Sequence, residues 1–462
     1  MYKKSRRKQK IRNRKLKTQG EKSVSQLLIQ IDKTLHHYLF ALPEHIDNTY
    51  KDPRRQGSIE YKLSEIVLAA VFMYMLRSNS RNDINEDRTM SNFKKNYKKL
   101  FKLKFPHMDT VNDVFKKLDE EIIEQVKSYI IKLLLSRRVF QKYKLLNKYI
   151  MIAIDGTGVF TYSDKEPYRG CPYKVSKTGK KTYSQNVVEA KIVGKNGFCI
   201  SIASEWIINE DGKDKQDCEY NATLRLMKKL KKAYPRLQIC LLMDGLFAKA
   251  PIMKEIKEKA WEFVIVWKEK TLYKLQDIVN QHREENSLYL EKKQKQIFHN
   301  RVSKTIMNYE YDTEQLNNKG TALYYISLDK QKRYIVQKEK DKDTDVYFMF
   351  MSSIKPNDKN IEQLIEAGQM RWKIENEGFN EQKTKGYNLQ HKMNRNNLTA
   401  IKNYYNCLQI AHIINQLMLL CKNSVTNLWN TAVKIWQYIK AALLILDNYT
   451  PIKNHKKYNF RY

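Results

Sequence analysis

Tyr149–Gly156 reads Tyr-Ile-Met-Ile-Ala-Ile-Asp-Gly, a short apolar run with an acidic residue and a glycine directly after it. Gln238–Gly245 reads Gln-Ile-Cys-Leu-Leu-Met-Asp-Gly and repeats this pattern further along the chain. Apolar runs of this length, followed by a glycine, are typical of buried β-strands. The pattern therefore predicts two strands that each end in a carboxylate, at the sheet edge where open α/β sheets bind their ligands.

The regions around these two runs alternate between strand-like and helix-like patterns. Val187–Val193 and Phe198–Ile208 read as strands joined by a glycine-containing turn, and Phe263–Trp267 reads as a later strand. Glu189, within the first of these strands, is expected to face solvent; a supporting role beside the ligand-binding edge of the sheet is the alternative. Apolar residues follow helical spacing from about Asn221 to Ala233 and from Ala250 to Lys259. Such an order of strands and helices predicts an α/β fold with a mixed central sheet.

Residues 268–350 interrupt this alternation, because they are polar and charged and contain only short β-like pieces. These pieces predict a β-rich insertion, and they lie at Val302–Tyr311, Leu323–Leu328, Tyr334–Val336 and Val346–Met351. A long helical stretch is predicted after the insertion, from about Asn360 to Lys385. The chain is thus predicted to have six segments: a basic N-terminal arm (1–22), a helical region (23–147), the first part of the α/β core (148–267), the β-rich insertion (268–350), the second part of the core (351–395) and a C-terminal helical region (396–462).

The region before the core has the pattern of several short helices. Leu63–Leu76 is apolar with helical spacing, and Asp109 and Asp119 are each predicted to be the N-cap of the helix that follows. Short helices with Lys and Arg on their outer faces are typical of domains that recognise DNA ends. They are equally typical of any small helical bundle, so both interpretations remain open at this point.

The charge of the chain indicates a polyanionic partner. There are 86 Lys and Arg against 50 Asp and Glu, which gives a net charge of +36 over 462 residues. Ten of the first seventeen residues are Lys or Arg, so the segment 1–22 is either a solvated tail or an arm that docks on DNA phosphates. Part of the lysine content is what an AT-rich genome would produce. Nucleic acid remains the partner that this charge favours.

The sequence indicates neither a membrane protein nor a protein that is held together by a framework of disulfides. The most apolar stretch, Tyr404–Cys421, is broken by five polar residues and falls short of the roughly 18 apolar residues that a spanning helix needs. The N-terminus carries no apolar signal segment. None of the six cysteines forms a Cys-x-x-Cys pair, which favours reduced thiols in a cytoplasmic, nucleoid-associated protein without a zinc ribbon.

Asp155 and Asp244 are the candidate metal ligands. For one Asp-Gly pair, an Asp that caps a turn or helix is an equally good explanation. Two such residues on neighbouring strands are better explained as ligands of divalent ions, because Mg²⁺ prefers carboxylate oxygens and needs few protein ligands. Two ions held by shared carboxylates can clamp the attacking and leaving oxygens of a phosphoryl transfer.

A third carboxylate is expected near these strand ends, and Glu375 and Glu377 are the candidates. At about 100° per residue, Glu375 lies roughly 40° from Arg371, whereas Glu377 lies about 160° from Glu375. One helix face cannot present both glutamates to one site. Arg371 and Glu375, four residues apart, either hold a phosphate beside the metal ions or form a simple ion pair.

These motifs resemble those of the DDE transposases of bacterial insertion sequences. The resemblance rests on Asp155-Gly-Thr, on the strand that ends in Asp244-Gly and on Arg371-Trp-Lys-Ile-Glu375-Asn, and it spans roughly Lys148 to His391. The branch that matches best has a ribonuclease-H-like core with a β-rich insertion before the catalytic Glu. The resemblance implies this α/β fold, with helical regions before and after it, and it implies that Asp155, Asp244 and Glu375 are catalytic.

The resemblance also suggests residues that contact DNA. The signature of the branch is Tyr, two residues, Arg, three residues, Glu, six residues and Lys, and Arg371 and Glu375 match it. Gly368 stands at the Tyr position and Gln382 at the Lys position, so Lys383 and Lys385 are the expected DNA-binding lysines beside Arg371. Trp267 stands where this branch uses an aromatic residue to stack on a flipped base, although packing at a domain junction is the more common role for such a residue.

The implied function is cleavage of the phosphodiester at each transposon end, with two Mg²⁺ ions per site and Mn²⁺ as an alternative. The freed 3′-hydroxyl would then attack target DNA. The expected partners are double-stranded terminal inverted repeats, target DNA and a second copy of the chain in a synaptic complex. The apolar helices between Asn403 and Leu446 either contact that second copy or form the hydrophobic core of the C-terminal region. The alternatives are a structure-selective nuclease, a non-catalytic DNA-binding descendant of a transposase, and an RNA-binding protein.

Overall fold

The computed structural model describes residues 41–163, 165–195, 197–209, 216–268, 271–299, 301–334, 343–420 and 432–445. The predicted basic arm 1–22 lies outside these residues. The chain divides into two compact units. The helical unit comprises Met1–Val139, Val159–Gln185 and Asn380–Tyr462, and the sheet unit comprises Phe140–Gly158 and Asn186–Phe379.

The α-helices and strands alternate along the middle of the chain, with helices before and after. The described α-helices are α1 (Leu42–Thr49), α2 (Leu63–Met75), α3 (Arg81–Thr89), α4 (Ser91–Phe101), α5 (Met108–Phe115), α6 (Glu120–Ser136), α7 (Glu219–Ala233), α8 (Ala250–Glu258), α9 (Tyr273–Glu284), α10 (Ile361–Met370), α11 (Glu381–Thr384), α12 (Leu398–Leu420) and α13 (Ala432–Ile445). The described strands are β1 (Ile150–Ser163), β2 (Tyr173–Val175), β3 (Lys181–Val193), β4 (Cys199–Ile207), β5 (Ile239–Met243), β6 (Glu262–Val266), β7 (Tyr289–His299), β8 (Arg301–Tyr311), β9 (Leu316–Asn318), β10 (Thr321–Tyr334) and β11 (Thr344–Ser352). A π-helix occupies Ile374–Asn380.

The helical unit is built around α2 and α12. Every residue of α2 is buried, as expected of a helix that is apolar on all faces. The α12 side chains from Ile401 to Met418 are also buried, and α12 packs on α2 and α6. Asn403 donates from Nδ2 to the carbonyl oxygens of Phe115 (3.0 Å) and Leu118 (2.9 Å), just after α5. Of the two interpretations of these apolar helices, core packing is therefore correct for residues 401–418.

The two predicted N-caps have different outcomes. Asp119 is the N-cap of α6, and its side chain accepts a hydrogen bond from the Glu121 backbone N–H, so this prediction is confirmed. The prediction for Asp109 is wrong, because α5 begins at Met108 and His107 is its N-cap. Asp109 instead lies in the first turn, where its negative charge is favourable at the helix N-terminus.

The sheet unit contains one large mixed sheet. Its strand order is β2-β3-β1-β5-β6-β11-β10-β8-β7; in addition, β4 pairs with β3 and β9 pairs with β10. Strand β5 is parallel to both β1 and β6, whereas β3–β4 and β6–β11 are antiparallel pairs. Helices α7, α8 and α10 pack on these strands. The predicted ribonuclease-H-like α/β fold with a mixed sheet and a β-rich insertion is confirmed.

The β-rich insertion continues the core sheet. Strand β11 pairs with β6, with Phe350 opposite Val266, and the long strand β10 pairs with both β11 and β8. Sequence patterns did not predict α9, β7 or β9, and they covered β10 only at Leu323–Leu328 and Tyr334. The rest of the predicted piece Tyr334–Val336 lies outside the described residues. The prediction missed α9, β7 and β9 because this region is polar, and its strands are positioned by backbone pairing with their neighbours rather than by an apolar run.

The helical stretch predicted from about Asn360 to Lys385 is confirmed in its extent, but it is divided into three helices. Helix α10 ends at Met370, the π-helix follows from Ile374, and α11 begins at Glu381. A π-helix has a wider turn than an α-helix and occurs preferentially at functional sites. The six-segment division stays a prediction; the unit boundary after Phe379 falls inside its fifth segment.

Within the described part of the chain, no helix has both the length and the apolar character that crossing a membrane requires.

Candidate functional site

Asp155 and Asp244 lie next to each other in the sheet. Ile154 of β1 pairs with Met243 of β5 in parallel register, and Asp155 and Asp244 are the residues that come next. Strand β5 ends there as predicted, whereas β1 continues to Ser163, so the predicted end of the first strand at Asp155 is wrong. Both strands are buried up to this point, and both aspartates are only partly exposed. The fold therefore places two carboxylates at the same edge of the sheet, as the sequence predicts.

Arg371 brings Glu375 into the same group of side chains. Its Nη1 lies 2.7 Å from Glu375 Oε1 and 3.4 Å from Asp155 Oδ2. The Arg371 side chain is 7% exposed, whereas the Glu375 side chain is 52% exposed. A buried guanidinium thus joins the Asp155 carboxylate to the glutamate at the start of the π-helix. The alternative of an ion pair between Arg371 and Glu375 is confirmed, and a phosphate-binding role for Arg371 stays a prediction.

Glu377 has a different partner. Its Oε1 lies 3.0 Å from Lys373 Nζ, in an ion pair along the same segment. The wheel argument that separated Glu375 from Glu377 therefore gives the correct pairings. Gln382, which stands at the position of the signature lysine, is buried, and its side-chain amide donates a hydrogen bond to Gln409 within the helical unit.

The pKa values of the two aspartates shift in opposite directions. Burial raises the pKa of Asp155 to about 7, with smaller contributions from the charges of Glu375 and Glu219, while the Gly156 N–H and Arg371 oppose the rise. Burial also acts to raise the pKa of Asp244. A hydrogen bond from Lys268 Nζ at 2.9 Å, the Gly245 N–H and the charges of Lys268 and Arg371 outweigh burial, so this pKa is lowered.

We predict that the stability of the metal-free protein falls as the pH rises from about 4 to about 7. Asp155 has a pKa near 3.9 when unfolded and of about 7 when folded. The native state therefore binds more protons over this range, and its stability is lost as the carboxyl ionises. Urea unfolding at several pH values, with a chelator present, measures the slope. Asp155→Asn should remove most of this dependence of stability on pH. If the slope is unchanged in this variant, another titrating group causes the dependence.

Two further charged residues of this site were not predicted. Lys268 lies two residues after the third parallel strand, β6, and Trp267 is the residue that directly follows this strand. Glu219 is the first residue of α7, and its negative charge raises the pKa of Asp155. The sequence pattern places the start of that helix near Asn221, so it does not predict Glu219 as a residue of the helix N-terminus.

The other predicted DNA-binding residues are placed differently. Lys383 and Lys385 belong to the helical unit; burial lowers the pKa of Lys383, and Lys385 Nζ lies 3.3 Å from Glu381 Oε2. Trp267 is 3% exposed, and its indole N–H donates to the Thr271 carbonyl oxygen. Its ring packs edge-on against Tyr325, as the packing alternative anticipated. Its stacking on a flipped base stays a prediction.

One expectation about a nearby acid is wrong. Glu189 of β3 was expected to face solvent, but it is fully buried, and its Oε2 lies 3.4 Å from the equally buried Lys191 Nζ. A register shift between Ala190 and Lys191 interrupts the regular alternation of the strand. Such a bulge re-aims side chains, and this is why both charges point into the interior.

The carboxylates are chemically suited to a divalent cation but are directed at cations of the protein itself. Among the described residues, no group of three or more His, Cys, Asp or Glu side chains is arranged to hold a metal ion. Asp155 and Glu375 face Arg371, and Asp244 faces Lys268. Binding of a metal ion would therefore require these side chains to turn from the basic partners towards each other.

Comparison with known protein families gives two matches. A family model described as Transposase DDE domain matches residues 146–396, which is more than half of the chain. A model described as DDE_Tnp_1-associated matches residues 46–129, within the helical unit. No curated protein matches the chain. The longer match includes Asp155, Asp244, Arg371 and Glu375.

Proposed function

The chain belongs to the DDE transposase family, and we propose that it cuts phosphodiester bonds at the ends of a transposon and joins the freed 3′-hydroxyl to target DNA. The observation that carries this proposal is the group formed by Asp155, Asp244 and Glu375. Asp155 and Asp244 come directly after the last paired residues of the adjacent parallel strands β1 and β5, and Arg371 links Glu375 to Asp155. Such a group suits phosphoryl transfer, in which positioning and charge stabilisation provide most of the catalysis.

Asp155, Asp244 and Glu375 would hold two Mg²⁺ ions, with Mn²⁺ as an alternative. Bound divalent ions would neutralise charge on the phosphate and activate water or a hydroxyl group. Burial is the main cause of the raised pKa of Asp155, and the charges of Glu375 and Glu219 add to it; a divalent cation would relieve the repulsion between these carboxylates. Arg371 would hold the side chains of Asp155 and Glu375 in place until the cation binds, and Lys268 would do the same for Asp244.

The net charge of +36 supports DNA as the polyanionic substrate. The proposed partners are the terminal inverted repeats and target DNA. Two transposon ends must be held together for transposition, so a homodimer in a synaptic complex is part of the proposal. Lys383 and Lys385 are the proposed DNA contacts of the helical unit, and Trp267 is the proposed base-stacking residue of the insertion. Branch membership, with a ribonuclease-H-like core interrupted before Glu375, belongs to the same proposal.

The proposal is tested with a plasmid that carries the DNA flanking the gene of this protein, with Mg²⁺ present. Cleavage at both flanks and joining of their 3′ ends to a second DNA are expected for the wild type. Asp244→Asn should abolish both reactions, because it removes a ligand charge while it keeps the shape of the side chain. Binding of the flanking DNA, measured by fluorescence anisotropy, should remain.

The outcomes separate the alternatives. Cleavage by Asp244→Asn at the wild-type rate would refute the assignment of the carboxylates. Cleavage of branched DNA irrespective of sequence would indicate a structure-selective nuclease. Specific binding without cleavage by the wild type would indicate a non-catalytic descendant. Inverted repeats in the flanking DNA would independently support the transposase assignment.

A further inference from the structure

Glu219 lies beside Asp155 and Asp244. It is the first residue of the fifteen-residue helix α7, which precedes β5. An added Cβ at Gly156 would stand 2.6 Å from Glu219 Oε1 and 2.7 Å from its Cδ. The Glu219 carboxylate therefore lies against the backbone of the residue that follows Asp155, in the space that only a glycine leaves free.

Glu219 and the two aspartates come from three separate elements. Asp155 lies on β1, Asp244 directly follows β5, and Glu219 begins α7. The contact of Glu219 with Gly156 and the parallel pairing of β1 with β5 therefore bring three carboxylates to one sheet edge.

The basic residues of the site do not neutralise Glu219. Arg371 pairs with Asp155 and Glu375, and Lys268 pairs with Asp244. None of the ion pairs found in the described ranges includes Glu219. Four carboxylates thus face two cationic side chains, and the surplus negative charge is of the kind that a bound divalent ion balances.

We propose that Glu219 is a fourth carboxylate of the divalent-metal site, and that Gly156 is required because it leaves room for this carboxylate beside Asp155. This inference rests on the proposed function, since it extends the same site. A structural role is the competing explanation, because an acidic residue in the first turn also stabilises a helix through its dipole. The two roles differ in one measurable property, which is the affinity for a metal ion in the absence of DNA.

The test is calorimetric titration of metal-free protein with Mn²⁺. Glu219→Gln keeps the shape of the side chain and should weaken binding by at least about tenfold, as expected for a residue that supports a metal site. Glu121→Gln is the matched control, because Glu121 is an exposed acid in the first turn of α6. Glu121→Gln should leave the affinity for Mn²⁺ unchanged. If Glu219 only stabilises its helix, neither Glu219→Gln nor Glu121→Gln should change that affinity.

Gly156→Ala gives an independent test of the same contact. The added methyl would displace the end of a flexible side chain, so the fold should tolerate it while Mn²⁺ affinity falls. In the Glu219→Gln background the substitution should have little further effect, since both changes act through one carboxylate. If Glu219→Gln does not fold, as judged by thermal unfolding, Gly156→Ala and Glu219→Asp provide the measurement instead.

Asp155→Asn distinguishes failure of this inference from failure of the proposed function. Loss of Mn²⁺ binding in Asp155→Asn, with wild-type affinity in Glu219→Gln and Gly156→Ala, would overturn the role of Glu219 and leave the three-carboxylate site intact. Wild-type affinity in Asp155→Asn as well would refute the metal site as a whole.

Discussion

Replacing Glu375 by glutamine is expected to lower the rate of DNA-end cleavage by about a thousandfold or more, a loss of the size that removal of a core catalytic residue produces. The side chain keeps its volume but loses the charge that faces Arg371 at 2.7 Å. Binding of divalent ions should weaken, while binding of DNA should be retained. Single-turnover cleavage of a labelled transposon end, with Mg²⁺ in excess, measures the chemical step directly.

Glu377→Gln is the matched control for this prediction. Glu377 lies two residues away in the same π-helix, but its carboxylate pairs with Lys373 at 3.0 Å. Its replacement should change the cleavage rate by less than about threefold, because a partly exposed ion pair contributes little. A large loss in Glu377→Gln, with near-normal cleavage in Glu375→Gln, would exchange the roles of the two glutamates and contradict the site described above.

Replacing Glu189 by glutamine is expected to destabilise the protein by about 3–5 kcal/mol, the usual cost of breaking a buried ion pair. Glu189 and Lys191 are both fully buried, and Ser204 donates a hydrogen bond to the carboxylate. Without the carboxylate, the fully buried Lys191 loses the ion-pair partner that lies 3.4 Å from its Nζ, in an interior that solvates charge poorly. Urea denaturation of the metal-free protein, followed by circular dichroism, measures the free energy of unfolding.

Glu205→Gln is the control for the loss of a carboxylate from this part of the sheet. Glu205 lies on β4 and pairs with Arg225 at 2.7 Å, where both side chains are partly exposed. Its loss should cost no more than about 1 kcal/mol. The double variant Glu189→Leu with Lys191→Met should recover much of the stability, because removing both charges leaves no unpaired ion. Equal losses in Glu189→Gln and Glu205→Gln would contradict a special role for the buried pair.

The buried pair is also connected to the catalytic segment. An added Cβ at Gly378 would lie 3.2 Å from Lys191 Cδ and 3.2 Å from Cys199 Sγ, so the π-helix packs directly on this lysine. Lys191 Nζ also lies 5.7 Å from the centre of the Phe379 ring. A loss of order around Lys191 would therefore reach the segment that carries Glu375.

The amino-acid sequence by itself determined the features that depend on local pattern. The apolar runs that end in Asp155 and Asp244 are strands because an apolar run of that length followed by Asp-Gly has few other stable conformations. Asp119 caps its helix because its side chain reaches the backbone N–H two residues on. The spacing of four residues between Arg371 and Glu375 was enough to predict their ion pair.

Only the tertiary structure decided the features that depend on residues distant in sequence. The register of β1 and β5, the contact of Glu219 with Gly156, and the pairing of Lys268 with Asp244 all join separate elements. The burial of Glu189 depends on a bulge in β3 that periodicity does not reveal. The insertion strands join the core sheet through backbone hydrogen bonds, which are available to polar and apolar residues alike. Local pattern thus located two carboxylates, and the fold determined which charges surround them.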